Sequence, residues 1–148
     1  MTTLSPNLTS RKALEEWLLD FHKSSATLDA KLCADKFFTQ DVEMCYANNL
    51  PVNGKASVEA FFDKAFKALD LMHHDINYFD FVGPDKLYQA ATIKYLVKGD
   101  DPDKDLIVIP AIQVAWLKEE EGKLKMRRSE IYLDACQVFA KMSEKGLL

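Results

Sequence analysis

Few side chains in this sequence can move a proton at neutral pH. His73 and His74 stand side by side. Arg128, Glu130 and Tyr132 occupy every second position near the end of the chain. Two-residue spacing puts side chains on one face of a strand. On a regular strand Met72, His74, Ile76 and Tyr78 share a face, and His73, Asp75 and Asn77 take the other. The first face mixes apolar and polar groups, which suits a pocket wall and suits a satisfied core histidine equally. Glu130 between Arg128 and Tyr132 is a candidate proton-transfer group with hydrogen-bonding partners. The opposite phase is Arg127, Ser129, Ile131 and Leu133. A one-residue slip exchanges the two phases, which would leave Glu130 on the outer sheet face in a salt bridge or dimer contact. Tyr46 shares a face with Met44 and can present a phenol to a cavity. Lys94, in phase with Ala90 and Thr92, is either a cation near an oxyanion or a solvated strand end. Trp17 is read as a pocket wall or core.

The chemistry these groups suit is cofactor-free proton transfer next to a carbonyl or hydroxyl. It needs an acid or base tuned by an apolar cavity, and a donor for the developing oxyanion. Burial can move a carboxyl or imidazole pKa by several units. Metal chemistry is not expected. No second His or Cys stands at ligand spacing from His73, and His22 falls on what reads as a surface face of the first helix.

The composition sets the frame. A chain of 148 residues fits one domain, and one of this size buries about 70% of its unfolded surface. The net charge is −4 with acids and bases interspersed, so nucleic acid is not an expected partner. The three cysteines, Cys33, Cys45 and Cys136, are odd in number and widely spaced. That spacing fits neither a disulfide framework nor zinc, and all three read as reduced core thiols. Without a signal-peptide pattern or a spanning apolar run, the expectation is a cytoplasmic protein with no membrane partner.

Periodicity then supplies the elements. Residues 1–8 read as a flexible arm, 9–143 as one domain and 144–148 as a tail. Leu14, Trp17, Leu18 and Phe21 mark one face of a helix capped by Thr9 or Ser10. A second helix is predicted from Thr27 to Thr39. A strand over 42–47, a turn at Asn48-Asn49 and a return at Leu50-Pro51-Val52 precede a third helix capped by Ser57. That helix carries Val58, Phe61, Phe62, Ala65, Phe66 and Leu69 as its apolar stripe. Strands follow at 72–82, 87–98, 105–118 and 123–134, with a bulge or an edge expected at Pro110. A short helix, 135–143, closes the chain. Long antiparallel strands with helices on one face make an α+β layer fold. Ile107, Ile109, Trp116 and Ile131 exceed what one buried face needs, so a homodimer through the sheet is expected.

This order resembles the NTF2-like superfamily, in its SnoaL-like branch. The likeness is carried by Phe37-Phe38-Thr39-Gln40-Asp41-Val42-Glu43 at the entry to the first strand. Pro51-Val52-Asn53-Gly54-Lys55-Ala56-Ser57-Val58, before the third helix, and the final strand from Gly122 to Asp134 complete it. The resemblance implies a cone: a strongly curved, mostly antiparallel sheet packed on N-terminal helices around a central pocket. It implies no cofactor. The superfamily includes polyketide cyclases, scytalone dehydratase, ketosteroid isomerase and limonene epoxide hydrolase, and also non-catalytic binders. The epoxide hydrolases' Asp-Arg-Asp set is not matched, since its positions fall on Thr92, Lys94 and Ile131. The dehydratase's separated histidines are poorly matched by adjacent His73 and His74. The expectation is an isomerase, cyclase or dehydratase for a small apolar, polyketide- or terpenoid-like metabolite of secondary metabolism. Glu130 and His74 would be catalytic, and Tyr46, Trp17, Tyr78, Lys94, Arg128 and Tyr132 would contact substrate. The alternative is a small-molecule binder or dimeric interaction module of the same fold.

Overall fold

The computed structural model describes residues 3–148. Of the expected arm, Met1 and Thr2 lie outside the described residues. The rest of it is tied down: Leu4 is buried, and Glu119 accepts hydrogen bonds from the Ser5 amide and hydroxyl. After a 3-10 turn, Pro6–Leu8, come α1 (Arg11–Ser25), α2 (Ala30–Phe37), β1 (Phe38–Tyr46), β2 (Val52–Asn53) and α3 (Lys55–Phe66). Then follow β3 (Leu69–Val82), β4 (Lys86–Val97), β5 (Ile107–Glu120), β6 (Lys123–Leu133) and α4 (Cys136–Glu144). The six strands form one sheet in the order β2-β1-β6-β5-β4-β3. Every pairing is antiparallel except β1 with β6. The fold is α+β, with a curved, unclosed sheet around its helices.

Local chemistry sets the helix starts. The Ser10 hydroxyl accepts from the Ala13 amide, as expected. Thr27 does not cap α2: its hydroxyl donates back to the Ser24 carbonyl at 2.6 Å, and Asp29 accepts from the Leu32 amide instead. Ser57 does not cap α3. The chain enters that helix through Gly54 at φ +88°, a left-handed conformation that costs glycine little. The second helix stops at Phe37 because Phe38 and Thr39 already belong to β1.

Irregularities in the ladder bend the sheet and decide which side chains point inward. One extra residue sits in β3 at Asn77, between the pairs Ile76↔Ala91 and Tyr78↔Ala90. Another sits in β6 at Arg127, between Leu117↔Met126 and Trp116↔Arg128. Pro110 pairs in register with Thr92 on β4. β6 ends at Leu133, opposite Ala111, so Pro110 has no strand beside it on that side and the expected edge is found there. Leu14, Leu18, Phe37, Met44, Leu117, Met126 and Val138 fill the core between sheet and helices. Of the cysteines only Cys33 is buried; Cys45 is partly exposed and Cys136 exposed, so the expectation of three core thiols fails.

Candidate functional site

A cavity of about 100 Å³ lies between the inner face of the sheet and the helices. It is small beside the roughly 300–1,000 Å³ of common ligand pockets. Phe61, Phe62 and Phe66 of α3 and Phe139 of α4 supply half of its aromatic wall. Among the described residues, no Asp, Glu, Lys or Arg lines it. Its polar groups come from two pairs and a chain of amides.

The first pair is His74 on β3 and His22 on α1. Their rings stack with centroids 4.5 Å apart and planes within 15°. His22 is buried, and its Nε2 lies 2.7 Å from Gln89 Oε1. The Nδ1 atom of each ring is enclosed and has no hydrogen-bond partner among the described residues, and both rings line the cavity. Burial, helped by neighbouring His22 and His73, pushes the His74 pKa down to about 3. Burial also lowers His22, against the pull of its bond to Gln89. Both imidazoles are neutral at pH 7.

The second pair is Tyr46 at the end of β1 and Tyr95 on β4. Tyr46 packs against Phe61, Phe62 and Phe139. Burial raises both phenols, which are neighbours on the cavity wall. Tyr46 is a neutral phenol facing an apolar space. Cys33 also reaches the cavity; burial pushes its thiol up, and it donates weakly to Ser25 Oγ at 3.9 Å. Among the described residues no three His, Cys, Asp or Glu side chains converge on a point.

Of the residues expected from the sequence, His74 and Tyr46 reach the cavity. Trp17 lies behind it, stacked on Phe21, with its indole N–H donating to the Leu124 carbonyl at 3.0 Å. The other five stand elsewhere. The extra residue at Asn77 turns Tyr78 outward, 66% exposed, and brings Phe79 inward. Lys94 is on the outer face, 3.7 Å from Asp75. The extra residue at Arg127 breaks the phase of β6: Leu124 and Met126 point in, and so do Ser129, Ile131 and Leu133. Arg128, Glu130 and Tyr132 are left outside. There Arg128 Nη2 donates to Glu130 Oε2 at 2.7 Å, Tyr132 donates to Oε1 at 2.7 Å, and Glu43 takes the other side of the guanidinium. Tyr132 and Arg128 hold the Glu130 carboxyl below the usual range. Glu130 is an anchored anion on the wrong face for cavity chemistry.

The sequence reading missed His22, Tyr95, Gln89, Gln113 and Ser129. His22 sits four residues beyond Leu18, itself four beyond Leu14, so the stripe that buries α1 carries it inward. Gln89 alternates with Leu87, Ala91, Ile93 and Tyr95 on the inner phase of β4.

No protein-family model matches the chain, and no curated protein matches it. Solved structures do. A provisionally named scytalone dehydratase from Novosphingobium aromaticivorans superposes with TM-score 0.69 at 17% identity, covering 86% of each chain. A provisionally named SnoaL-like polyketide cyclase from Jannaschia sp. CCS1 gives 0.67 at 15% identity, covering 97% of this chain and 98% of the other. ActVI-ORFA from Streptomyces coelicolor gives 0.68 at 13%, covering 82% and 94%. Identities this low carry the fold and not the activity. With the bent six-stranded sheet and the cavity on its inner face, they show that the chain has the NTF2-like fold.

Proposed function

We propose that this protein is a cofactor-independent enzyme of the isomerase, cyclase or dehydratase type, acting on a small uncharged molecule. One observation carries the reading: a stacked histidine pair and two neighbouring tyrosines open on one cavity whose wall, among the described residues, holds no formal charge. A charged ligand would leave its hydration shell there with nothing to replace it, which costs several kcal/mol or more. An uncharged ketone or alcohol loses little and gains the aromatic wall.

In this reading Tyr46 donates to the ligand oxygen, with Tyr95 behind it. His74 Nε2 takes a proton from the neighbouring carbon and returns it to a second position or to a leaving hydroxyl. A neutral imidazole with its pKa lowered this far is a weak base on its own. Negative charge growing on the ligand oxygen stabilises the imidazolium beside it, so the proton moves only as the oxyanion forms. A substrate from secondary metabolism fits the resemblance, and the cavity's size favours a compact ring system. The same cavity without turnover would be a binder; its all-neutral wall is the observation that favours this second reading.

The test is exchange of carbon-bound protons. Uncharged one- and two-ring ketones, from acetophenone to 2-tetralone, are incubated with the protein in heavy water. Deuterium should enter the position next to the carbonyl, and His74→Phe should abolish the excess rate. Binding without exchange would favour the binder. The expected homodimer would use the outer sheet face, where Tyr78, Val108 and Tyr132 are each more than half exposed. Sedimentation at micromolar concentration should then show a two-chain species, and a monomer would remove the dimer from the proposal.

A further inference from the structure

Behind His22 a chain of polar side chains crosses three strands of the buried sheet face. Gln89 on β4 and Gln113 on β5 are register partners. Gln89 Nε2 donates to Gln113 Oε1 at 2.5 Å. Gln113 Nε2 donates to Ser129 Oγ at 2.9 Å and contacts Met126 Sδ at 3.5 Å, both on β6. Gln89, Ser129 and Met126 are buried.

A chain of amides ending on a hydroxyl can run in two directions. In one, each amide nitrogen points toward β6, and His22 must carry its proton on Nε2 to donate to Gln89. In the other, both amides are reversed, and His22 accepts at Nε2 and carries its proton on Nδ1. The sulfur of Met126 decides between them. A thioether accepts and never donates, so the group of Gln113 that faces it is the NH₂. Both hydrogens of that NH₂ are then used, on Met126 and Ser129. The Gln113 oxygen is left for Gln89, and the Gln89 oxygen for His22. The enclosed Nδ1 of His22 agrees, because a buried lone pair is left unpaired more often than a buried N–H.

We propose that Gln89, Gln113 and Ser129 are positioning residues that lock His22 in its Nε2–H tautomer. The locked ring, stacked on His74, fixes which edge of His74 meets the ligand. That last step rests on the proposed role of His74; the tautomer lock does not. A slack amide chain would let His22 change tautomer and turn, and the stack would no longer hold His74.

The test is the ¹⁵N spectrum of the histidine rings in labelled protein near neutral pH, with no ligand present. The wild-type His22 ring should show a protonated Nε2 and an unprotonated Nδ1. Gln113→Leu and Gln89→Leu should each turn His22 into a mixture of tautomers. Ser129→Ala is the mild variant, should the leucine variants not fold, and should produce a detectable minor tautomer. A wild-type ring protonated on Nδ1, or an unchanged single tautomer in the leucine or alanine variants, would overturn the proposal. Since no ligand takes part, the lock can fail while the cavity still binds, and the cavity can prove inert while the lock holds.

Discussion

His74 and Glu130 separate under one physical test, which is what each side chain faces. His74 opens on an uncharged cavity, and Glu130 closes an ion-pair network on the opposite side of the sheet. Replacing His74 by Phe keeps a ring in the stack and should lower proton exchange by about 10²–10⁴-fold. Tyr46→Phe removes the oxyanion donor and should cost about 10²–10³-fold in rate with little change in ligand affinity. Glu130→Gln should leave exchange unchanged, which a side-by-side rate measurement checks. His74 also sets a stability profile. Its folded pKa is depressed by burial, with His22 stacked from α1 and His73 and Asp75 beside it on β3. Above pH 6.5 the ring is neutral folded or unfolded, and its contribution is flat. As the pH falls from about 6.5 toward 3, the unfolded chain takes up a proton that the folded one refuses. Stability should then drop by up to about 1.4 kcal/mol per pH unit, readable from denaturant midpoints between pH 7 and pH 4. His74 and Tyr46 were legible in the sequence because the strand segments that carry them keep a clean two-residue alternation. His22 was legible in principle from the stripe through Leu14 and Leu18, and was misassigned because a polar residue was read as a surface residue.

At the scale of elements, two inserted residues account for most of the misplaced side chains. Glu130 has the same parity as buried Leu124 and Met126, and Tyr78 the same as Met72 and His74. Alternation alone therefore puts both inside. Arg127 and Asn77 each take one extra place in the ladder, and every side chain beyond them changes face. Neither is a glycine or proline, so nothing local in the sequence marks the bulge. It exists because the sheet must bend around α1 and α3. The last helix has a separate role. Val138, Phe139 and Met142 of α4 line the cavity, while Lys141 and Lys145 reach Asp100, at 2.7 and 2.6 Å, across the β4–β5 connection. Asp100→Asn weakens both ion pairs and loosens that helix over the cavity. Exchange of a bound ligand should become several-fold faster, as followed by line shape in ligand NMR, with the sheet's amide signals unchanged.

For the whole molecule, the order of elements carried the architecture. Three helix-period segments around a short β-hairpin, followed by four long strands, left few ways to bury every apolar face. The cone is the one observed. What the sequence could not set was the size and charge of the interior, because those depend on which phase of each bent strand faces inward. The resulting cavity is small and aromatic, and among the described residues its polar lining is imidazole, phenol, amide, hydroxyl and thiol, with no formal charge. The most direct measurement is a titration of labelled protein with acetophenone and, separately, benzoate, following the His74 ring signals. Acetophenone should shift His74 saturably, and benzoate should leave it unmoved at the same concentrations. Equal or tighter binding of benzoate in the cavity, or ligand-induced shifts confined to the Glu130 face, would contradict the assignment of an uncharged-ligand site to this cavity.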